Sequence, residues 1–264
     1  MEQPLTLVFD GEPASVSYIK MTAEMMERAG VAVERTFGHI AVGGGMYSRP
    51  IDSIERDWSA ASYWYAIAAV SAGWVTLRDM STESIQGDAI MASLGERIGV
   101  VTAVSEDDEA DLELSANPDM FSRLDLDMSD TPDIVQTIVV VAVTLGIPFR
   151  LTGVASLRLK ETDRLDALVA EMGKLGVTIE IDGDKSIAWD GRRRPIFEVP
   201  AFDTHGDHRM AMSLVPTSIF MPGIVIRDHE VVNKSYPGFW DDLRDAGFTL
   251  RDAAEPVDEN PVEE

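Results

Sequence analysis

The sequence predicts an α/β (α+β) fold of repeated βαβαββ units, each with one buried and one surface helix. Three observations carry this. Four amphipathic helices each end in a glycine and run into an alternating strand; three further helices are apolar nearly all round; and equivalent points recur about seventy residues apart.

In chain order, "MTAEMMERAGVAVE" is the first amphipathic helix. It ends at Gly30, where a left-handed residue is wanted, and "VAVERTFGHIAV" then reads as a hairpin. "WSAASYWYAIAAVSAG" is the first apolar helix, followed by the strand "WVTLR". "MASLGERIGVVTAV" repeats the amphipathic pattern and ends at Gly99. "PDIVQTIVVVAVTLG" is the second apolar helix, with "IPFR" after it. "LVAEMGKLGVTIEI" ends at Gly176 and opens the hairpin "VTIEIDGDKSIAW", which carries an Asp-Gly turn. "DHRMAMSLVPTSIFMPG" is the third apolar helix, leading into "IVIR", and "FWDDLRDAGFTLRD" gives a fourth amphipathic helix, Gly247 and a last strand. Spacings of 69, 77 and 71 residues separate the four amphipathic-helix glycines. A period this long excludes a solenoid and points to pseudo-threefold packing of the buried helices.

The composition narrows the function classes. The chain has 264 residues, 46 Asp+Glu against 22 Lys+Arg, and a formal net charge of −24. That balance argues against a nucleic-acid partner, whose footprint is a basic stripe. It fits a very soluble protein adapted to a salty cytoplasm. No apolar run is long enough to span a membrane, and no basic segment followed by an apolar one opens the chain. Zero cysteines exclude disulfides and thiolate zinc sites, so the expected location is cytoplasmic. His205 and His208 with Asp203 lack diagnostic metal spacing, and "GGGM" at 43–46 lacks the context of a dinucleotide loop, so neither a metal nor a cofactor is expected. Arg192, Arg193 and Arg194 read as a solvated turn, and Tyr236, Phe239 and Trp240 as a core stripe.

Against this acidic background, cations gather at a few places. If the three apolar helices pack together, their N-termini meet at one end and form a site prepared for anions. The residues there are Asp57-Trp58-Ser59, Thr131-Pro132-Asp133 and Asp207-His208-Arg209, and each aspartate taken alone also reads as an N-cap. "LRLKETDR" (157–164) places Lys160, Glu161 and Arg164 between an expected strand end at 157–160 and a helix capped by Asp163. Arg209 opens an apolar helix, where a buried charge needs an anionic partner. Lys234 lies in the connection ahead of the last helix.

Together "SAASYWYA" (59–66), "QGD" (86–88), "DTPD" (130–133), "LRLKETDRL" (157–165), "GDHRMAM" (206–212) and "KSYPGFWDDL" (234–243) resemble the 3-phosphoshikimate 1-carboxyvinyltransferase (EPSP synthase) family, in family order. The resemblance implies the EPSP synthase/enolpyruvyl transferase-like fold. It also implies transfer of the enolpyruvyl group of phosphoenolpyruvate to the 5-hydroxyl of shikimate 3-phosphate, a step of the shikimate pathway toward chorismate and aromatic amino acids. By position it implies Asp133 as the base at that hydroxyl and Glu161 as the residue moving a proton at the methylene carbon. Lys160 becomes a substrate contact, Arg164, Arg209 and Lys234 the cations that hold phosphoenolpyruvate, and Ser15 and Tyr18 contacts to the shikimate phosphate. Val16 and Lys20 stand where the family commonly has Arg and Asp, and Ser156 where a substrate-contacting Asn is common.

The resemblance further implies that residues 1–56 are the last unit of an N-terminal domain, 57–250 a three-unit C-terminal domain, and 251–264 an acidic disordered tail. The family's early Lys-Ser pair, Gly-rich loop and Ser-Ser-Gln motif are not in this sequence. The chain alone is therefore expected to be inactive, and a partner chain with the other half is a candidate. The alternatives are a non-catalytic remnant of the same fold and a UDP-N-acetylglucosamine enolpyruvyl transferase.

Overall fold

A computed structural model of the protein describes residues 3–252 except 12 and 14. The expected acidic tail lies almost entirely outside the described residues. Strand β1 (Leu5–Val8), helix α1 (Val16–Arg28) and the hairpin β2 (Val33–Thr36) and β3 (His39–Val42) form a small unit with strand order β1-β3-β2, all antiparallel. Ala23, Val31, Val33, Ile40 and Val42 fill its core. All four residues of β1 are exposed.

Everything after residue 57 shares one larger core. Helix α2 (Trp58–Ser71) is followed by β4 (Trp74–Leu77), a 3-10 turn at Gly87–Ile90, α3 (Met91–Arg97), β5 (Val100–Val104) and β6 (Leu112–Ala116), with sheet order β4-β6-β5. The next unit is complete. Strand β7 (Leu124–Asp127), α4 (Val135–Leu145), β8 (Phe149–Thr152), α5 (Arg164–Lys174), β9 (Glu180–Asp182) and β10 (Ser186–Trp189) give the order β7-β8-β10-β9. Only β7 and β8 run parallel in it. The last unit is reduced to β11 (Ala201–Phe202), α6 (His208–Leu214), α7 (Thr217–Phe220), β12 (Val225–Ile226) and α8 (Phe239–Asp245), with β11 parallel to β12.

Helices α2, α4 and α6 pack on one another at the centre. Residues 135–144 of α4 are all buried, five of them valine. Valine is a mediocre helix former because its branched Cβ loses rotamer freedom, so this helix owes its existence to packing rather than propensity. Small polar residues let the helices approach: Ser62 Oγ lies 3.1 Å from Thr137 Oγ1 and also donates to the Ser59 carbonyl. Of the expected aromatic stripe Phe239 is core, its ring edge-on against Tyr63, Trp64, Tyr236 and Trp240, while Tyr236 and Trp240 are only partly buried against it.

Several expectations need correction. Residues 155–159 form a 3-10 turn rather than a strand end, because the chain must turn sharply from β8 into α5. The third apolar helix breaks at Val215-Pro216, where proline cannot supply an N–H to continue it. No strand follows Gly247 among the described residues. Helix α2 takes its left-handed C-cap at Ala72 (φ 51°), one residue before Gly73, at a cost of about 1–2 kcal/mol relative to a right-handed residue. Arg193 is not simply solvated: it donates to the Val143 carbonyl at the end of α4 and lies 5.3 Å over the Phe220 ring.

Candidate active site

The N-terminal ends of the three central helices meet where α5 begins. Asp57 caps α2, accepting from the Ser59 and Ala60 N–H groups at 2.8 and 3.3 Å. Asp207 caps α6 by accepting from the Arg209 N–H at 2.8 Å. The corresponding turn before α4 (Pro132–Ile134) holds Asp133 inside the turn rather than at its cap, and its carboxylate accepts from Arg164, Arg209 and Tyr18 instead. Asp163 caps α5 through the Leu165 and Asp166 N–H groups, which sets Arg164 at the first helical position.

Arg164 is 1% exposed and uses all three guanidinium nitrogens. Nε donates to Asp207 at 2.6 Å, Nη1 to Asp133 at 2.9 Å and Nη2 to Glu161 at 2.8 Å. Asp133 in turn collects Tyr18 Oη at 2.6 Å, Arg209 Nη2 at 3.2 Å and Lys160 Nζ at 3.3 Å. Glu161 is closed from the solvent side by Lys234, whose ammonium donates to it. Four cations and three carboxylates therefore form one network with a net charge of +1, inside a chain of −24.

The network sets the protonation states. Burial would raise the Asp133 carboxyl, but the Arg209 charge, the Tyr18 hydroxyl, Lys160 and Arg164 outweigh it and hold it far below the carboxylate range. Burial likewise opposes ionisation of Glu161, yet the Lys234 hydrogen bond and the Arg164 charge bring it down to about 2. Burial and the bond to Asp133 push the Tyr18 phenol up, so it stays a donor. Burial and the nearby Arg209 charge lower His208, keeping its imidazole neutral beside the cations. Beyond Tyr18 the network opens into a hollow of about 370 Å³ between α1 and the Gly87–Ile90 turn, bordered by Met21, Met25, Asp57, Asp88 and Arg209.

Seven of the eight residues singled out from the sequence thus meet: Tyr18, Asp133, Lys160, Glu161, Arg164, Arg209 and Lys234. Ser15 does not join them. It sits at the N-cap of α1 with φ 56°, and its side chain makes no capping bond.

Sequence reasoning missed two participants. Asp207 was legible only as a cap, yet its carboxylate is fully buried and is also the anchor of Arg164. Asp88, within the quoted "QGD", accepts from Ser59 Oγ at 2.5 Å, and burial pushes it up to about 6 despite that bond and Arg209. An acid directly after a glycine was the available signal.

The sequence model of EPSP synthase (3-phosphoshikimate 1-carboxyvinyltransferase) matches residues 2–243. A 3-phosphoshikimate 1-carboxyvinyltransferase of Bacteroides fragilis is 42% identical over 253 residues, covering 95% of this chain and 61% of that protein. One from Methanoculleus marisnigri is 35% identical over 249 residues, covering 94% and 57%. Among solved structures, EPSP synthase from Acinetobacter baumannii superposes with a TM-score of 0.67 at 21% identity over 94% of this chain and 57% of that one, a likeness of fold. The chain spans about three-fifths of the length of the curated relatives it matches.

Proposed function

The chain belongs to the EPSP synthase family, and from that premise we propose that its ion network is the phosphoenolpyruvate side of an enolpyruvyl transfer site, with shikimate 3-phosphate as acceptor. The carrying observation is the convergence of Arg164, Arg209, Lys160 and Lys234 with Asp133 and Glu161 at the ends of three helices. Guanidinium forks match carboxylate and phosphate oxygens two at a time, and helix N-termini add oriented N–H groups.

The residue types fit the chemistry. Glu161 delivers a proton to the methylene carbon of phosphoenolpyruvate while the acceptor's 5-hydroxyl oxygen bonds to C2 and its proton passes to Asp133. Phosphate then leaves as Glu161 takes a proton back from the new methyl group, restoring the double bond. Such transfers contribute on the order of 10²–10⁴-fold.

Glu161 held at about 2 is ionised near neutrality and has no proton to give. An incoming carboxylate or phosphate that draws Lys234 away removes the hydrogen bond that does most to hold the acid down. Anion binding therefore raises the proton affinity of Glu161, against the Arg164 charge that still lowers it.

Because the chain covers 61% of its Bacteroides relative, we further infer that turnover needs the part of the family's length that this chain does not cover, joined to it or carried on a partner chain. Calorimetric titration tests the site directly. Phosphoenolpyruvate binding that tightens when shikimate 3-phosphate is present, and is lost in Lys234→Ala, is expected. Absence of any coupled binding, with or without the complementary half, would identify a non-catalytic remnant.

A further inference from the structure

Helix α5 reaches the ion network through Arg164, but its far end holds a second buried acid that the network does not include. Glu171 is 1% exposed. Its carboxylate accepts from the Asp203 N–H at 3.0 Å, from His205 Nε2 at 2.8 Å and from Lys174 Nζ at 2.7 Å. Seven residues, about two helical turns, separate it from Arg164, so both side chains leave the same face of α5.

The internal repeat marks this acid as out of place. Five residues before the closing glycine of each amphipathic helix stand Met25, Leu94, Glu171 and Asp242. Leu94 is buried, Met25 half-buried and Asp242 exposed. Where the position faces a core, an apolar side chain serves, and a carboxylate there costs desolvation unless it is fully paired. Packing alone therefore does not call for Glu171; its partners do.

Two of those partners lie in the segment that leads into α6. The Asp207 N–H donates to the Thr204 carbonyl at 2.9 Å, closing a tight turn over Thr204–Asp207. Both central residues are left-handed, His205 at φ 54° and Gly206 at φ 70°. Glycine takes that conformation freely, but histidine carries a Cβ and holds it only when its surroundings over-determine it. Among the described residues, Glu171 is the one hydrogen-bond partner of the His205 imidazole, and the same carboxylate holds the Asp203 N–H. Lys174 ties the segment at the Ala201 carbonyl (2.9 Å) and the Asp203 carboxylate (3.1 Å), and Arg164 ties its end at Asp207. Asp207 in turn caps α6 through the Arg209 N–H, and Arg209 reaches Asp133 at 3.2 Å.

We propose that Glu171 is a positioning residue for the phosphoenolpyruvate side of the site. By holding His205 in its left-handed form it fixes the 204–207 turn, and with it the reach of Asp207 to Arg164 and of Arg209 to Asp133. The inference rests on the proposed function for its ligand and on the turn's own geometry for its mechanism. The contrasting role is a buried pair with Lys174 that stabilises α5 and leaves the turn as it is.

Amide hydrogen exchange and calorimetric titration on the full chain separate the two. Glu171→Gln keeps the side chain's size and one acceptor for the Asp203 N–H but removes the charge. It is expected to speed exchange at the Asp207 and Arg209 amides, and to weaken phosphoenolpyruvate binding, by about tenfold or more each, while the α4 amides stay protected. His205→Gly supplies a left-handed residue that needs no anchor. In the double variant, Glu171→Gln with His205→Gly, exchange and affinity are expected to return to within about threefold of the wild type, a rescue that a role confined to α5 would not give. Unchanged exchange at Asp207 and Arg209 in Glu171→Gln, equal loosening of α4, or no rescue by His205→Gly overturns the proposal. If the wild type binds no phosphoenolpyruvate, with or without the rest of the family's length, the proposed function fails, and the exchange rates alone still decide whether Glu171 holds the turn.

Discussion

A guanidinium with 1% exposure has no water to neutralise it, so Arg164 is stable only through the carboxylates of Asp207, Asp133 and Glu161. Removing it leaves the fully buried Asp207 without its guanidinium partner, while Asp133 keeps Arg209, Lys160 and Tyr18, and an uncompensated buried charge costs far more than the pair is worth when intact. Arg164→Ala is expected to lower the unfolding free energy in urea by about 3–5 kcal/mol. Lys234 is 58% exposed, and Lys234→Ala is expected to cost less than about 1 kcal/mol in the same measurement while abolishing phosphoenolpyruvate binding. The contrast separates a residue that holds the site together from one that meets the ligand.

The buried acids also predict opposite pH effects. Asp88, raised to about 6 by burial, holds its proton more tightly folded than unfolded, so it destabilises the fold as pH rises from about 4 through 6. Asp88→Asn removes that loss and is expected to stabilise the protein at pH 7 by up to about 3 kcal/mol, with little effect at pH 4. Glu161, lowered to about 2, contributes stability that is complete above its unfolded value and disappears as pH falls toward 2. Melting temperatures of the wild type and Asp88→Asn between pH 3 and 8 check both signs.

At the scale of elements, α1 reaches the larger core through a narrow contact. A Cβ on Gly87 would stand 2.6 Å from Ser17 Cβ and 3.0 Å from the Asp130 carbonyl, so only glycine lets α1 lie against this turn and bring Tyr18 to Asp133. Gly87→Ala is expected to cost about 1–3 kcal/mol of overpacking. Hydrogen exchange should speed up in α1 while α4 stays protected.

That contact was illegible in the sequence, because steric fit between segments seventy residues apart leaves no pattern in either. The helices themselves were legible, since an apolar face at helical spacing and a capping aspartate are local signals, as at Asp57 and Asp163. The 3-10 turn at 155–159 was misread because Leu157 and Leu159 alternate as a strand would, although Leu157 is buried and Leu159 is 87% exposed. The ion network was half legible. Its cations stand out in an acidic chain, but the carboxylate of Asp207 does not, because its second role depends on Arg164, 43 positions away.

At the scale of the whole molecule, charge is distributed in two ways. The ion network around Arg164 is compact, paired and largely shielded from solvent, so dissolved ions screen it weakly. The excess of 46 acidic over 22 basic residues cannot be matched pair for pair, and its self-repulsion opposes compaction. Among the described residues, exposed carboxylates stand close together in the 106–109 segment and at Asp241, Asp242 and Asp245. Salt acts on this second population, since a Debye length of about 10 Å at 0.1 M shrinks to about 3 Å at 1 M. Raising sodium chloride from 0.01 to 1 M is therefore expected to raise the melting temperature by several degrees, the reverse of what a fold held by surface ion pairs would do. Calorimetry across that range decides it, and Arg164→Ala should show the same salt slope from a lower starting point. A melting temperature that falls with salt would mean that exposed pairs such as Arg56–Asp79 and Arg158–Asp184 outweigh the repulsion.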